Sequence, residues 1–124
     1  MGLETLKGII YFGHGARDAR WREPFDRLQQ LWQTKHPNIP CALAFLEMMT
    51  PSLSEAIELL IQQGVKEIKI IPVFFGQGGH LRKDFPVLLE NAKQQFPQIA
   101  LSASSAVGES ELILNAILEF SADQ

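Results

Sequence analysis

Two histidines in this chain stand among glycines: Gly13-His14-Gly15-Ala16-Arg17-Asp18, and Gly76-Gln77-Gly78-Gly79-His80-Leu81-Arg82-Lys83-Asp84. Neutral imidazole accepts a proton and also holds a divalent metal, without the grip of an all-thiolate site. Flanking glycines let the backbone turn sharply and leave room for a large ligand, which assigns Gly78 and Gly79 to its contact. Arg17, Arg20 and Arg22 follow the first histidine, and Arg82 and Lys83 follow the second. Positive charge near a helix start opposes the helix dipole. Its appearance beside both histidines points to an anionic ligand, contacted by Arg17, Arg82 and Lys83. Glu47, in Phe45-Leu46-Glu47, offers a carboxylate for the same chemistry; a solvated carboxylate is the alternative. Met48 and Met49 either line an apolar wall or pack. The third histidine, His36, sits where a cation suits a helix C-terminus and is read as structural.

These residues need elements to position them. Gly8–Phe12, Ala42–Leu46, Glu67–Phe74 and the weaker Ile99–Ala103 read as strands, apolar on both faces as in a parallel sheet covered by helices. Helices alternate with them. The first carries Trp21, Phe25, Leu28, Leu31 and Trp32, has Pro24 in its first turn and ends at His36-Pro37. The second opens at Ser52 with Glu55 at capping-box spacing, repeats Leu53, Ala56, Ile57, Leu60 and Ile61, and stops at Gly64. The third carries Phe85, Leu88, Leu89, Ala92 and Phe96 before Pro97. The last carries Leu112, Ile113, Ala116, Ile117 and Phe120.

Four strand–helix units in strict alternation predict an α/β fold: a three-layer αβα sandwich with a four-stranded parallel sheet in the flavodoxin-like order 2-1-3-4. Strands 1 and 3 are then neighbours at the topological switch point, where ligands of open α/β sheets bind. Both histidine segments follow these two strands. With strands about 4.8 Å apart, the two imidazoles can face one ligand.

The chain has 124 residues, which predicts a single domain over 1–124. A net charge of −3 argues against nucleic acid as partner. The first residues lack an apolar signal core, no run is long enough to span a membrane, and one cysteine, Cys41, cannot form an internal disulfide. A cytoplasmic protein is expected. A phosphatase of the phosphohistidine type needs arginine immediately before the first histidine, where this chain has Gly13. A flavin or nucleotide carrier needs a phosphate loop rich in Ser or Thr after strand 1, and Gly13 to Asp18 has neither.

In their order and spacing, Gly13-His14-Gly15-Ala16-Arg17-Asp18, Phe45-Leu46-Glu47, Pro51-Ser52-Leu53, Ile71-Pro72-Val73-Phe74, and Gly78-Gly79-His80 with Asp84 and Pro86 make most of the chain resemble the short-form sirohydrochlorin chelatases. These class II chelatases serve cobalamin and sirohaem synthesis. The resemblance implies insertion of cobalt or iron into sirohydrochlorin, with a related archaeal branch handling nickel. It implies His14 and His80 as metal ligands and proton acceptors, with Glu47 as the acidic helper. The substrate's eight carboxylates match the arginines. The metal is substrate, and no permanently bound cofactor is implied. In Val107-Gly108-Glu109-Ser110 this chain lacks a further histidine that some relatives carry. A metal chaperone without tetrapyrrole chemistry is the alternative. Long-form relatives hold two such domains in one chain, which implies a homodimer here. Trp21, Phe25 and Trp32 either form part of its contact or pack on the sheet.

Overall fold

The computed structural model describes residues 6–76 and 78–124, with positions 79 and 80 described by backbone alone. The elements run β1 (Lys7–Gly13), a 3₁₀ turn (Ala19–Arg22), α1 (Glu23–Lys35), β2 (Cys41–Phe45), α2 (Leu53–Gln62) and β3 (Glu67–Pro72). They continue with α3 (Gly79–Gln95), β4 (Ala100–Ala103), a second 3₁₀ turn (Val107–Glu109) and α4 (Glu111–Ala122). The four strands form one parallel sheet in the order β2-β1-β3-β4. β1 therefore lies between β2 and β3, and its last residues pair Gly13 with Phe45 and Phe12 with Pro72. Everything that leaves the carboxyl ends of these three strands meets at one mouth.

Strand pleating sends successive side chains to opposite faces and sorts the core into two. On the first face Ile10, Phe12, Ala42, Ala44, Ile68 and Ile70 meet Leu53, Ala56, Ile57 and Leu60 of α2 and Ala92 of α3. On the second, Leu43 and Phe45 meet Phe25 of α1, with Tyr11 and Val73 partly buried beside them. Cys41 is buried at the start of β2, which pushes its thiol up to about 12 and keeps it protonated at neutral pH.

α2 is placed by its N-terminal chemistry. The Glu55 N–H donates to Ser52 Oγ at 3.2 Å, and Glu55 Oε1 accepts from the Ser52 N–H at 2.8 Å. Two of the helix's unsatisfied donors are thus met by side chains. Gly64, at φ +87°, takes the left-handed conformation that ends it.

Three features differ from expectation. β3 ends at Pro72, so Val73 and Phe74 belong to the loop. α3 begins at Gly79, so His80, Arg82, Lys83 and Asp84 stand in its first turns rather than in a loop. Gly78 supplies the extended N-cap, and its carbonyl accepts the Arg82 N–H at 3.1 Å. Finally, no residue of α4 is buried, despite its apolar periodicity.

The aromatic stripe expected on the first helix spans the 3₁₀ turn and α1 and packs within the chain. Phe25 is buried, and Trp21 stacks on it with ring centroids 5.0 Å apart. Trp32 donates its Nε1–H to Ile39 O at 2.9 Å, and its ring lies 4.2 Å from that of His36.

Candidate active site at the strand-end mouth

The β1–β2 side of the mouth extends the sheet's own hydrogen bonding. Leu46 N–H donates to Gly13 O at 2.9 Å, and Glu47 N–H donates to His14 O at 3.1 Å. The two chains thus leave the sheet side by side and carry His14 and Glu47 together. His14 Nε2 lies 3.5 Å from Glu47 Oε1, and both side chains are about half exposed, at 50% and 49%. Gly15 makes this approach possible: it has φ +96°, and a Cβ there would collide with the Glu47 carbonyl oxygen. Met48, next to Glu47, is also in the left-handed region, at φ 66°, and its side chain is exposed. Non-glycine residues held in that region concentrate at ligand sites.

The tautomer of His14 sharpens the chemistry. Nδ1 lies 3.3 Å from Gly15 O, a carbonyl that can only accept, and in the tautomer that makes this hydrogen bond Nδ1 carries the proton. Nε2 then presents a lone pair toward a carboxylate oxygen. Two acceptors facing each other at 3.5 Å call for a cation between them. A metal about 2.1 Å from both would subtend an angle close to tetrahedral; a proton shared between them meets the same need.

The β3–β4 side carries different groups. Val73 N–H donates to Phe12 O at 2.8 Å, fixing the exit from β3 against β1. Phe74 turns into the core, while Phe75 is 63% exposed. Behind Phe75 runs the turn at Val107–Glu109, where Gly108 N–H donates to Phe74 O at 3.0 Å. A Cβ on Gly108 would collide with the Phe75 carbonyl. His80 lies in the first turn of α3; its side chain is outside the described residues.

The cations divide into tied and untied. Arg20 is paired with Asp18 at 2.8 Å, and this neighbour holds the Asp18 carboxyl below the usual carboxylate range. Arg22 reaches Asp26 at 3.3 Å and donates to Thr50 O at 3.0 Å, with its guanidinium 4.9 Å from the centre of the Phe45 ring. Arg82 meets Glu109 at 3.5 Å. Arg17 and Lys83 are exposed, with no ion pair to another described residue. α3 has no acidic residue in its first turn, where Arg82 and Lys83 stand. An anion arriving there meets the helix dipole and these two cations together.

With this geometry established, comparison with known proteins places the molecule. A family model, CbiX, matches residues 8–124. The chain belongs to the CbiX family. A sirohydrochlorin cobaltochelatase of Priestia megaterium is 26% identical over 113 residues, covering 90% of this chain and 36% of that protein. A chloroplastic sirohydrochlorin ferrochelatase of Arabidopsis thaliana is 27% identical over 116 residues, covering 94% of this chain and 52% of that one. The chain thus spans about half or less of the length of these two relatives. Among solved structures, a CbiX protein from Marinobacter aquaeolei assigned to cobalamin (vitamin B12) biosynthesis superposes with a TM-score of 0.81 at 29% identity. That match covers 94% of this chain and 93% of the other.

Of the residues singled out from sequence, His14 and Glu47 are in contact across the mouth. Gly78 caps α3, and Arg82 and Lys83 follow in its first turns. Phe75 and Glu109 had not been singled out. Phe75 follows an equally apolar Phe74, and only the end of β3 at Pro72 decides which of the two faces solvent. Glu109 meets Arg82 across 27 residues of sequence.

Proposed function

We propose that this CbiX-family chain inserts a divalent metal, cobalt or iron, into sirohydrochlorin. The observation that carries the reading is His14 Nε2 standing 3.5 Å from Glu47 Oε1 at the switch point of the sheet. The names of the relatives, a cobaltochelatase and a ferrochelatase, support the substrate and both metals.

Insertion exchanges one M²⁺ for two pyrrole N–H protons, so the site must release a metal and accept protons. In this reading His14 and Glu47 hold the incoming ion between them. As the ion passes to the pyrrole nitrogens, the vacated lone pairs take up the displaced protons and pass them to water. His80, in the first turn of α3, is the second imidazole. Nitrogen and oxygen donors bind cobalt(II) and iron(II) without the hold of thiolates. Arg17, Arg82 and Lys83 engage the macrocycle's carboxylates, with bidentate pairing available to the two arginines. Gly78 and Gly79 let the macrocycle edge approach the backbone. Exposed Phe75 and Met48 supply apolar contact to its rings. The metal is substrate, and the reaction requires no resident cofactor.

Two further parts of this reading concern the whole molecule. It acts as a homodimer of single-domain subunits, and it works in a reducing, cytoplasmic setting suited to its one buried, protonated cysteine. Among the described residues no helix is long and apolar enough to cross a membrane.

The deciding experiment is anaerobic incubation with sirohydrochlorin and Co²⁺, Fe²⁺ or Ni²⁺ in parallel, followed by absorption. A metal-dependent shift of the tetrapyrrole bands above the uncatalysed rate is expected for cobalt or iron. Acceleration with nickel alone would reassign the metal. Metal binding without any effect on the tetrapyrrole would make the protein a metal carrier.

A further inference from the structure

We propose that Glu109 is an internal counter-carboxylate for Arg82: it pairs with the guanidinium while the mouth is empty, yields it to a carboxylate of the bound macrocycle, and takes it back as the metallated product leaves. This rests on the chelatase reading above and gives a task to a residue which that reading leaves unused.

The chemistry of insertion sets the problem. An M²⁺ ion replaces two protons at the centre of the macrocycle, and the carboxylates at its rim are the same before and after. Cations that grip the rim therefore hold substrate and product alike, and such uniform binding adds nothing to the chemical step. Made too strong, it traps the product. A site that recruits a polyanion through Arg17, Arg82 and Lys83 needs a means of letting it go.

The pair on the β3–β4 side has the construction this requires. Arg82 Nη2 lies 3.5 Å from Glu109 Oε2, the longest of the three arginine–carboxylate contacts among the described residues; Arg20 and Asp18 close to 2.8 Å, and Arg22 and Asp26 to 3.3 Å. A bidentate arginine–carboxylate pair closes to about 2.7–2.9 Å, so a ligand carboxylate docking on both prongs of the fork is the stronger partner. The Arg82 side chain is 63% exposed and that of Glu109 43%. This exposure favours exchange. When the guanidinium changes partner, the carboxylate left behind is met by water, and the swap carries no large desolvation penalty in either direction.

The two partners are mounted differently. α3 carries no acidic residue in its first turn; the carboxylate that faces Arg82 comes from the turn after β4. That turn is clamped. Glu109 N–H donates to Ala106 O at 2.9 Å, Gly108 N–H to Phe74 O at 3.0 Å and Ser110 N–H to Val107 O at 3.1 Å. Gly108 is pressed against the Phe75 carbonyl. The Glu109 backbone thus keeps a fixed station beside exposed Phe75, and the long arginine side chain is the part that swings. Once a ligand carboxylate has taken Arg82, the Glu109 charge remains next to it, and their repulsion hastens departure.

Glu109→Gln keeps the shape of the side chain and removes its charge. In stopped-flow fluorescence without metal, sirohydrochlorin is expected to bind this variant about three- to fivefold more tightly than wild type, mostly through slower dissociation. With Co²⁺ present, the KM for the tetrapyrrole should fall with no rise in kcat, while the affinity for Co²⁺ alone stays unchanged. In the Arg82→Gln background the same substitution should alter tetrapyrrole affinity by less than about twofold, because no guanidinium is left to exchange. Unchanged or weaker binding by Glu109→Gln overturns the proposal; weaker binding would mean that the carboxylate props Arg82 up for the ligand. An equal gain in both backgrounds also overturns it, since Glu109 would then repel the ligand without trading Arg82. In each of these cases the tetrapyrrole still binds and the chelatase reading stands. A wild-type protein that binds no sirohydrochlorin overturns both.

Discussion

On the β1–β2 side of the mouth Gly15 lies against the Glu47 carbonyl, and on the β3–β4 side Gly108 lies against the Phe75 carbonyl; neither position has room for a Cβ. The device is shared, and the chemistry it holds is not. Gly15 fixes an imidazole and a carboxylate 3.5 Å apart. Gly108 fixes an exposed aromatic, in a turn whose Glu109 meets Arg82. Gly15 also needs the left-handed backbone at φ +96°, a second requirement that Gly108 does not share. The difference points to a division of labour. In the proposed reaction one half would hold the ion, through a backbone conformation that no other residue adopts cheaply. The other half would hold the macrocycle of the proposed reaction, through backbone packed just as closely.

The largest effect should come from removing an ion-holding group. His14→Ala is expected to lower insertion by roughly 10²–10³-fold with unchanged circular dichroism, and Glu47→Gln by about tenfold. Near-normal rates in both would erase the ion-holding half. The two glycines test the contrast directly. Gly15→Ala should destabilise the fold by about 1–2 kcal/mol on backbone grounds alone and reduce affinity for Co²⁺, read by thermal melting and metal titration. Gly108→Ala should instead weaken sirohydrochlorin binding and leave Co²⁺ affinity unchanged. Equal losses of metal affinity in the two variants would collapse the distinction. The smallest effect is assigned to Phe75→Ala: about a three- to tenfold loss of tetrapyrrole affinity, measured by fluorescence titration, with metal binding and stability unaltered. A loss of metal affinity there would put Phe75 in the wrong half.

The parts legible in the sequence are those where local chemistry and tertiary packing agree. Ser52 and Glu55 announce the start of α2, and the spacing of Leu53, Ala56, Ile57 and Leu60 announces the face it buries. Strands rich in isoleucine, alternating with such helices, lead to a parallel sheet and so to its switch point, which is where His14 and Glu47 meet. Elsewhere local signals mislead or fall silent. Gly78 and Gly79 read as part of a loop, yet α3 starts at Gly79 and runs on through Pro86. Proline still costs a backbone hydrogen bond there, and the packing of Phe85, Leu88 and Leu89 against the core holds the helix together. The periodicity of α4 records that a face is apolar without recording what covers it. Glu109 and Arg82 come together only because β4 lies next to β3, which no local pattern encodes.

The unequal cores on the two sides of the sheet set the order in which the molecule opens. Among the described residues, seventeen buried ones form the cluster between the first face and α2 and α3, while three (Phe25, Leu43 and Phe45) tie α1 to the second. Local opening free energies scale with such burial, so α1 detaches at less cost than α2. Its backbone amides should therefore exchange with solvent well before those of α2. The donors at the mouth do not share that fate. His14 leaves the sheet from β1, a central strand bonded on both edges, and Glu47 is hydrogen-bonded to the same extension. A breathing α1 can thus loosen the wall beside the mouth, Trp21 included, while His14 and Glu47 stay together.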